Sequence, residues 1–242
     1  MRDEPRLLLC AAQFLTRLPT PRIRSDEADF AASIRWFPAV GLLIGAIVGG
    51  AGWAGSPIDP WTGALTALAS WVLVTGALHL DGLADITDGY GAAHGDRKRL
   101  LAAMADPHVG SFGVVAIVLQ SLAKLVLLHT LIAQGGFVPL ILIPFAARIG
   151  PLVWARWLPA LHAGLGAHFS DAVSIGSLAG WLLLLVAGAA ISPALLAAPL
   201  LIAAWAVWLR RAIGGISGDG HGAGIELVET GLLIASILAG RL

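Results

Sequence analysis

The chain has 242 residues, 57% hydrophobic and 12% charged, with 15 basic residues balancing 15 acidic ones and a mean hydropathy of +0.84. Soluble domains carry about 25% charged residues, so this composition excludes an ordinary soluble domain and describes a polytopic membrane protein. Zero net charge offers no field for nucleic acid, and a lone cysteine, Cys10, excludes an intrachain disulfide and reads as a small packing residue.

The first 29 residues carry Arg2, Arg6, Arg17, Arg22 and Arg24 around a short apolar run, Leu7–Leu15. Asp3 and Glu4 precede the run, and no convincing cleavage site follows it. It reads as a retained helix at the membrane interface, closed by Phe14-Leu15-Thr16-Arg17-Leu18-Pro19. Seven apolar segments of near-spanning length follow, at about 34–54, 60–80, 110–133, 137–158, 173–191, 193–209 and 225–240. The fifth and sixth are joined by Ser192-Pro193 as a tight hairpin. The last is short and partly interfacial, and six or eight spans also fit. Tryptophans such as Trp36, Trp53, Trp61, Trp157 and Trp208 sit near segment ends, as interfacial aromatics do. With the N-terminus inside, Arg97-Lys98-Arg99, Arg156 and Arg210-Arg211 are all inside, whereas the outside loops 55–59, 134–136 and 192 hold no Lys or Arg, and Arg241 alone falls outside. The expectation is an all-α, polytopic integral membrane helical bundle: about seven transmembrane helices plus an N-terminal interfacial helix. Residues 1–242 are expected to form a single membrane-embedded domain, with the polar connections 81–109, 159–172 and 210–224 facing the cytoplasm.

The chemistry concentrates in His79-Leu80-Asp81-Gly82-Leu83-Ala84-Asp85-Ile86-Thr87-Asp88-Gly89. Asp81, Asp85 and Asp88 stand at i, i+4 and i+7, on one face of a helix. Like charges on one face repel, so either the face is a solvated loop with Asp-Gly turns or a cation holds it. Oxygen-only ligands suit a hard ion, Mg²⁺, shared with substrate phosphates. Gly89-Tyr90-Gly91 is expected to break this helix, and Asp96 to cap a new one starting at Arg97-Lys98-Arg99. That basic run reads as positive-inside residues or as a phosphate contact. Asp106 is a fourth metal ligand or a cap for the next helix, with Pro107 in a first-turn position.

Lys124, Arg148, Glu226 and Glu229 lie inside apolar segments. Charges at such depth face a bundle interior or a wet cavity, as a structural salt bridge or as functional groups. Gly214 to Gly224 holds six glycines, a loop whose N–H groups approach phosphates, with Asp219 and Glu226 adding oxygen ligands. Acidic residues for a divalent ion and basic residues for phosphates, at a cytoplasmic membrane face, suit phosphoryl-group transfer from a nucleotide-activated donor.

The motif Phe14-Leu15-Thr16-Arg17-Leu18-Pro19, then Phe37-Pro38 with Gly41, then His79 to Asp85 through Asp88-Gly89, resemble the cobalamin synthase family. So do Asp106 with Gly110, Gly218-Asp219, and Ile225-Glu226-Leu227 with Glu229. The resemblance covers nearly the whole chain, and its acidic element is highly specific. It implies an integral membrane adenosylcobinamide-GDP ribazoletransferase that needs Mg²⁺. Such an enzyme joins adenosylcobinamide-GDP to α-ribazole, or its 5′-phosphate, and releases GMP late in vitamin B12 assembly. Two stretches depart from the family pattern. Asp106-Pro107-His108 stands where the family has Asp-Ser-Arg, so His108 occupies the place of a phosphate-binding arginine. Ser217-Gly218-Asp219-Gly220-His221-Gly222 stands for Thr-Gly-Asp-Thr-Leu-Gly and keeps the acidic residue.

The resulting assignment makes Asp81, Asp85, Asp88 and Asp106 catalytic, with Asp88 or Asp106 as the base. Asp81, Asp85, Asp88, Asp106 and Asp219 hold Mg²⁺. Arg17, His79, Lys124, Arg148, Asp219 and Glu226 contact substrate, His79 by hydrogen bonding rather than ligation. Trp36, Trp154 and Trp157 line the corrinoid's place or anchor the interface. A homo-oligomer is compatible with the sequence. A CDP-alcohol phosphotransferase is the rival enzyme, disfavoured because Asp85 stands where its pattern needs Arg. A secondary transporter and a membrane scaffold are the non-enzyme alternatives.

Overall fold

The computed structural model describes residues 3–161 and 169–240. Arg2, Arg241 and the middle of the 159–172 connection lie outside the described residues. Thirteen helices follow one another without a strand ladder among the described residues; Ala160 and Ile216 form one isolated bridge. An all-α solution is what a bilayer imposes on such a chain, because a helix satisfies its own backbone groups.

Helix α1 (Glu4–Leu15) buries Leu7, Cys10, Ala11 and Leu15. It is tied to α2 (Glu27–Ser33) by an Arg6–Asp29 ion pair of 2.7 Å. A 3-10 turn, Ile34–Trp36, carries α2 into α3 (Phe37–Gly55). Asp59 then caps α4 (Pro60–Thr75), accepting from the N–H groups of Trp61 and Thr62. Gly76 and Ala77 both take positive φ, 61° and 59°, and α5 (Leu78–Ala93) leaves at 83° to α4. Asp96 caps α6 (Arg97–Met104) through the Lys98 N–H at 2.8 Å, as expected. There follow α7 (Ser111–Ala133), α8 (Phe137–Ala147), α9 (Gly150–Trp157), α10 (Phe169–Ala172), α11 (Ile175–Ala189), α12 (Ala198–Ala212) and α13 (Gly218–Ala239).

Five helical stretches are long and apolar enough to cross a membrane: Glu27–Gly55, Ser111–Ala133, Phe137–Trp157, Pro193–Ala212 and Gly218–Ala239. The bent pair α4–α5 makes a sixth if it is counted as one broken span. By length and composition the count falls short of the expected seven at two places. The 60–80 segment turns sharply at Gly76-Ala77. The 15 residues of α11 reach only about 22 Å at about 1.5 Å per residue, short of a hydrocarbon core of about 30 Å. Val115, Val118, Leu119, Leu122 and Val126 leave one side of α7 exposed and apolar, as a lipid-facing helix requires.

Three local expectations are corrected. Residues 81–109 are mostly helix, not loop. Gly89 and Gly91 do not break α5; a side chain at either would collide with Met104 or Phe112, so they are sites of close packing. The glycine-rich 210–224 stretch is also no loop, because α12 runs to Ala212 and α13 begins at Gly218 with Ser217 as its cap. The last span therefore starts seven residues earlier than expected and is 22 residues long. Small residues let apolar helices approach closely. A Cβ on Gly45 of α3 would lie 2.9 Å from the Ile141 Cα of α8.

Candidate functional site

The site is built where α5 crosses the first turns of α13. A Cβ on Gly82 would lie 2.9 Å from the Asp219 Cα, and one on Gly222 would lie 3.2 Å from the His79 Cα. The two backbones touch, and the carboxylates flanking the contact are thereby set side by side. Asp85, half-buried, is acted on electrostatically by Asp219, Asp81 and Asp88. The structure thus brings together four of the five residues expected to hold a metal.

Within this group the roles diverge. Asp81 is exposed. Asp88 accepts the Gly110 N–H at 2.7 Å on one oxygen and the Gly113 N–H at 2.9 Å on the other, capping α7 from another helix. A carboxylate is favoured there by the unpaired N–H groups and the dipole. Asp219 sits in the first turn of α13, where Ser217 Oγ lies 3.4 Å from its Oδ2. Asp106 stands apart on the exposed α6–α7 connection and is absent from the charges that act on Asp85. It accepts from the His108 backbone N–H at 2.9 Å and lies 2.8 Å from the His108 ring. Those contacts hold its carboxyl below the usual carboxylate range. The cap of α7, one of the two roles open to Asp106, is supplied by Asp88.

Arg17 packs over the elbow: its N–H donates to the Val74 carbonyl at 2.7 Å, and its side chain fills the space beside Gly76. Lys124, Arg148 and Glu226 lie elsewhere, in a buried ion network. Lys124 Nζ contacts Glu226 at 2.7 Å and Glu229 at 2.6 Å, and sits 4.3 Å over the Trp71 ring. Arg148 donates to Glu229 at 2.7 Å and to the Pro144 carbonyl at 3.0 Å. Gln120 donates to Glu226 and Thr230. Two cations meet two carboxylates, so their charge is matched inside the bundle. His79 joins this network to the carboxylate site, its Nδ1 lying 3.4 Å from Arg148 Nη2.

One opening borders the carboxylates and another lies beyond the end of α5. The first, of about 150 Å³, is lined by Asp81, Asp219, His79 and His221 together with Phe14, Phe37 and Phe169. The other, of about 680 Å³, lies at the far end of α5 and is lined by Tyr90, Asp96, Arg97, Arg210, Arg211 and the backbone at 212–214. Trp154 is fully buried and donates to the Ile202 carbonyl, whereas Trp157 is exposed and Trp36 donates to Glu4. The sequence motifs assign no role to His221, Phe37 or Phe169. Phe14 and Phe37 stand inside the sequence motifs, His221 inside the glycine run and Phe169 in the polar 159–172 connection.

Among the described residues no three His, Cys, Asp or Glu side chains close around one point as a preformed metal cage would. Oxygen donors in mutual electrostatic reach without a full cage fit Mg²⁺, which keeps waters and is held by one or two carboxylates plus substrate phosphates.

Residues 7–237 match the family model described as cobalamin-5-phosphate synthase. A protein of Novosphingobium aromaticivorans named adenosylcobinamide-GDP ribazoletransferase is 62% identical over 236 residues, 96% of either chain. Proteins of the same name are 51% identical in Laribacter hongkongensis, over 98% of both chains, and 38% identical in Pseudomonas aeruginosa PAO1, over 98% of this chain and 100% of that one. No solved structure matches. The family match spans nearly every helix, including the α5–α13 crossing and its carboxylates, and the chain belongs to the cobalamin-5-phosphate synthase family, membrane enzymes of cobalamin synthesis that transfer a group.

Proposed function

We propose that this chain transfers the phosphocobinamide group of adenosylcobinamide-GDP to α-ribazole, or α-ribazole 5′-phosphate, releasing GMP with the help of Mg²⁺. The observation that carries the reading is the convergence of Asp81, Asp85, Asp88 and Asp219 at a glycine-lined helix crossing. Like-charged carboxylates held together in one place favour a cation between them. Asp85 and Asp219 would hold Mg²⁺ with the donor diphosphate. The ion, when bound, neutralises phosphate charge and steadies the leaving phosphate.

The acceptor's 5′-hydroxyl oxygen forms a bond to the phosphorus attached to cobinamide. The bond from that phosphorus to the GMP oxygen breaks, and GMP leaves with the electron pair. The hydroxyl proton goes to a carboxylate. Asp88 has both oxygens engaged by α7, and Asp106 is engaged by His108. This favours Asp81, exposed at the mouth of the smaller cavity. The cleft of Arg97, Arg210 and Arg211 offers positive charge for the nucleotide side of the donor. The Lys and Arg asymmetry between loops supports a site on the cytoplasmic face of the inner membrane, where nucleotides are available.

The test is GMP release by protein purified in detergent or liposomes, given adenosylcobinamide-GDP, α-ribazole and Mg²⁺. Release that needs both substrates and stops with EDTA is expected. No release from a folded sample with either form of the acceptor would overturn the proposal.

A further inference from the structure

The smaller cavity carries features that phosphate transfer does not use. Phe14 and Phe37 stack at 5.9 Å between ring centroids, Phe37 and Phe169 meet edge-on at 6.1 Å, and Phe169 meets His221 at 6.0 Å. All four rings line the space, with His79. His79 and His221 are 2% and 8% exposed, and each leaves one ring nitrogen buried without a hydrogen-bond partner: Nε2 of His79 and Nδ1 of His221. A buried polar atom left unpaired costs about 1–3 kcal/mol. Both rings line one cavity, and a ligand seated there can bring the partner that His79 lacks.

The polarity of one of them can be derived. Arg148 Nη2 lies 3.4 Å from His79 Nδ1. A guanidinium only donates, so Nδ1 accepts, and a neutral imidazole then carries its hydrogen on Nε2. The unpartnered atom of His79 is therefore an N–H donor. Asp81 and Asp219 border the same cavity.

We infer that this cavity seats the flat heteroaromatic base of the acceptor nucleoside, stacked among Phe14, Phe37 and Phe169, with one ring nitrogen accepting from His79 Nε2 and the ribose directed to Asp81 and Asp219. The inference rests on the transferase reading above and adds the place and chemistry of acceptor binding. A benzimidazole riboside has one nitrogen bonded to the sugar and one free lone pair, a single acceptor for a single donor.

The experiment is equilibrium binding of α-ribazole, without donor, to the full-length protein in detergent. Phe14→Ala is the first variant, because Phe14 is 40% exposed and its loss leaves the fold largely intact. It is expected to weaken binding up to about 10-fold, the worth of an aromatic contact. Indole riboside, in which C–H replaces the accepting nitrogen, is expected to bind the wild-type protein about 10-fold more weakly; this needs no variant and holds whatever happens to Phe14→Ala. Equal affinity for the two ribosides, or no saturable binding of α-ribazole, overturns the inference. GMP release by the same preparation tests the transferase reading separately. Turnover with affinity indifferent to the base nitrogen refutes the cavity alone, whereas selective binding without turnover refutes the transfer alone.

Discussion

Gly82→Ala tests whether the α5–α13 contact sets the chemistry. The added methyl carbon would stand 2.9 Å from both the Cα and the carbonyl oxygen of Asp219, against backbone that has no flexible end to swing away. Ordinary contacts of this kind begin near 3.4 Å, so α13 must retreat by roughly 0.5 Å. Overpacking costs about 1–3 kcal/mol, and alanine returns about 1 kcal/mol of helix propensity. The net loss of stability is therefore about 0–2 kcal/mol. Turnover is more sensitive, since about 1 Å of misplacement costs about 100-fold; half of that predicts a loss of about 10-fold in kcat. The assay is GMP release beside thermal unfolding in the same detergent. Gly50→Ala is the control, because nothing lies within 4 Å of a methyl there; its turnover should be unchanged and its Tm equal or higher. Wild-type turnover with a raised Tm in Gly82→Ala would refute the backbone contact and the placement of Asp219 beside Asp81 and Asp85.

Three further substitutions probe separate links. Glu229→Gln leaves Lys124 and Arg148 facing one carboxylate in a buried setting; a loss of about 3–5 kcal/mol is expected. Adding Lys124→Met should recover part of it by restoring charge balance, and strictly additive losses would count against the network. Asp88→Asn keeps one acceptor oxygen of the two that cap α7. About 1–2 kcal/mol should be lost, with faster amide exchange at Gly110 or Gly113; unchanged exchange there would remove the cap from the account. Asp85→Asn withdraws the charge on which Asp81, Asp88 and Asp219 act. Its Tm in EDTA should exceed that of the wild type, and the Tm gain on adding Mg²⁺ should shrink. A Mg²⁺ response identical to wild type would exclude Asp85 from the metal site.

The carboxylate helix was legible because its information is local. The i, i+4, i+7 spacing of Asp81, Asp85 and Asp88 needs only helical geometry, and the Asp96 cap needs only a side chain and the next turn. The glycines misled because glycine reads as loop or breaker in a water-exposed chain. Here Gly82, Gly89 and Gly222 lie inside helices at contacts with other helices, where the missing Cβ matters more than the freed backbone. Lys124 and Glu229 are 105 positions apart, and Gln120 and Glu226 are 106 apart. That charges at such depth should pair was foreseeable, but the choice of partner is made by packing. The same holds for the aromatic cavity, whose rings come from α1, α3, α10 and α13.

Helix α13 explains why the chain tolerates four ionised groups in its interior. Its first turns must lie against α5 with almost no side-chain volume between them, and such a glycine-rich stretch supplies little packing energy of its own to hold that position. Three residues after Ala223, fully buried at the crossing, come Glu226 and then Glu229. These clamp the same helix to Lys124 of α7 and Arg148 of α8 at 2.6–2.7 Å. In a low-dielectric interior the alternatives to pairing are much worse for each charge, so the register of α13 against α7 and α8 is fixed by where those partners stand. Arg148 then reaches His79 on α5, so the clamp and the acceptor cavity share a residue pair. The buried charges of α7, α8 and α13 and the carboxylates of α5 are in this sense one arrangement: the first sets the axial position of α13, and that position decides whether Asp219 stands beside Asp81 and Asp85.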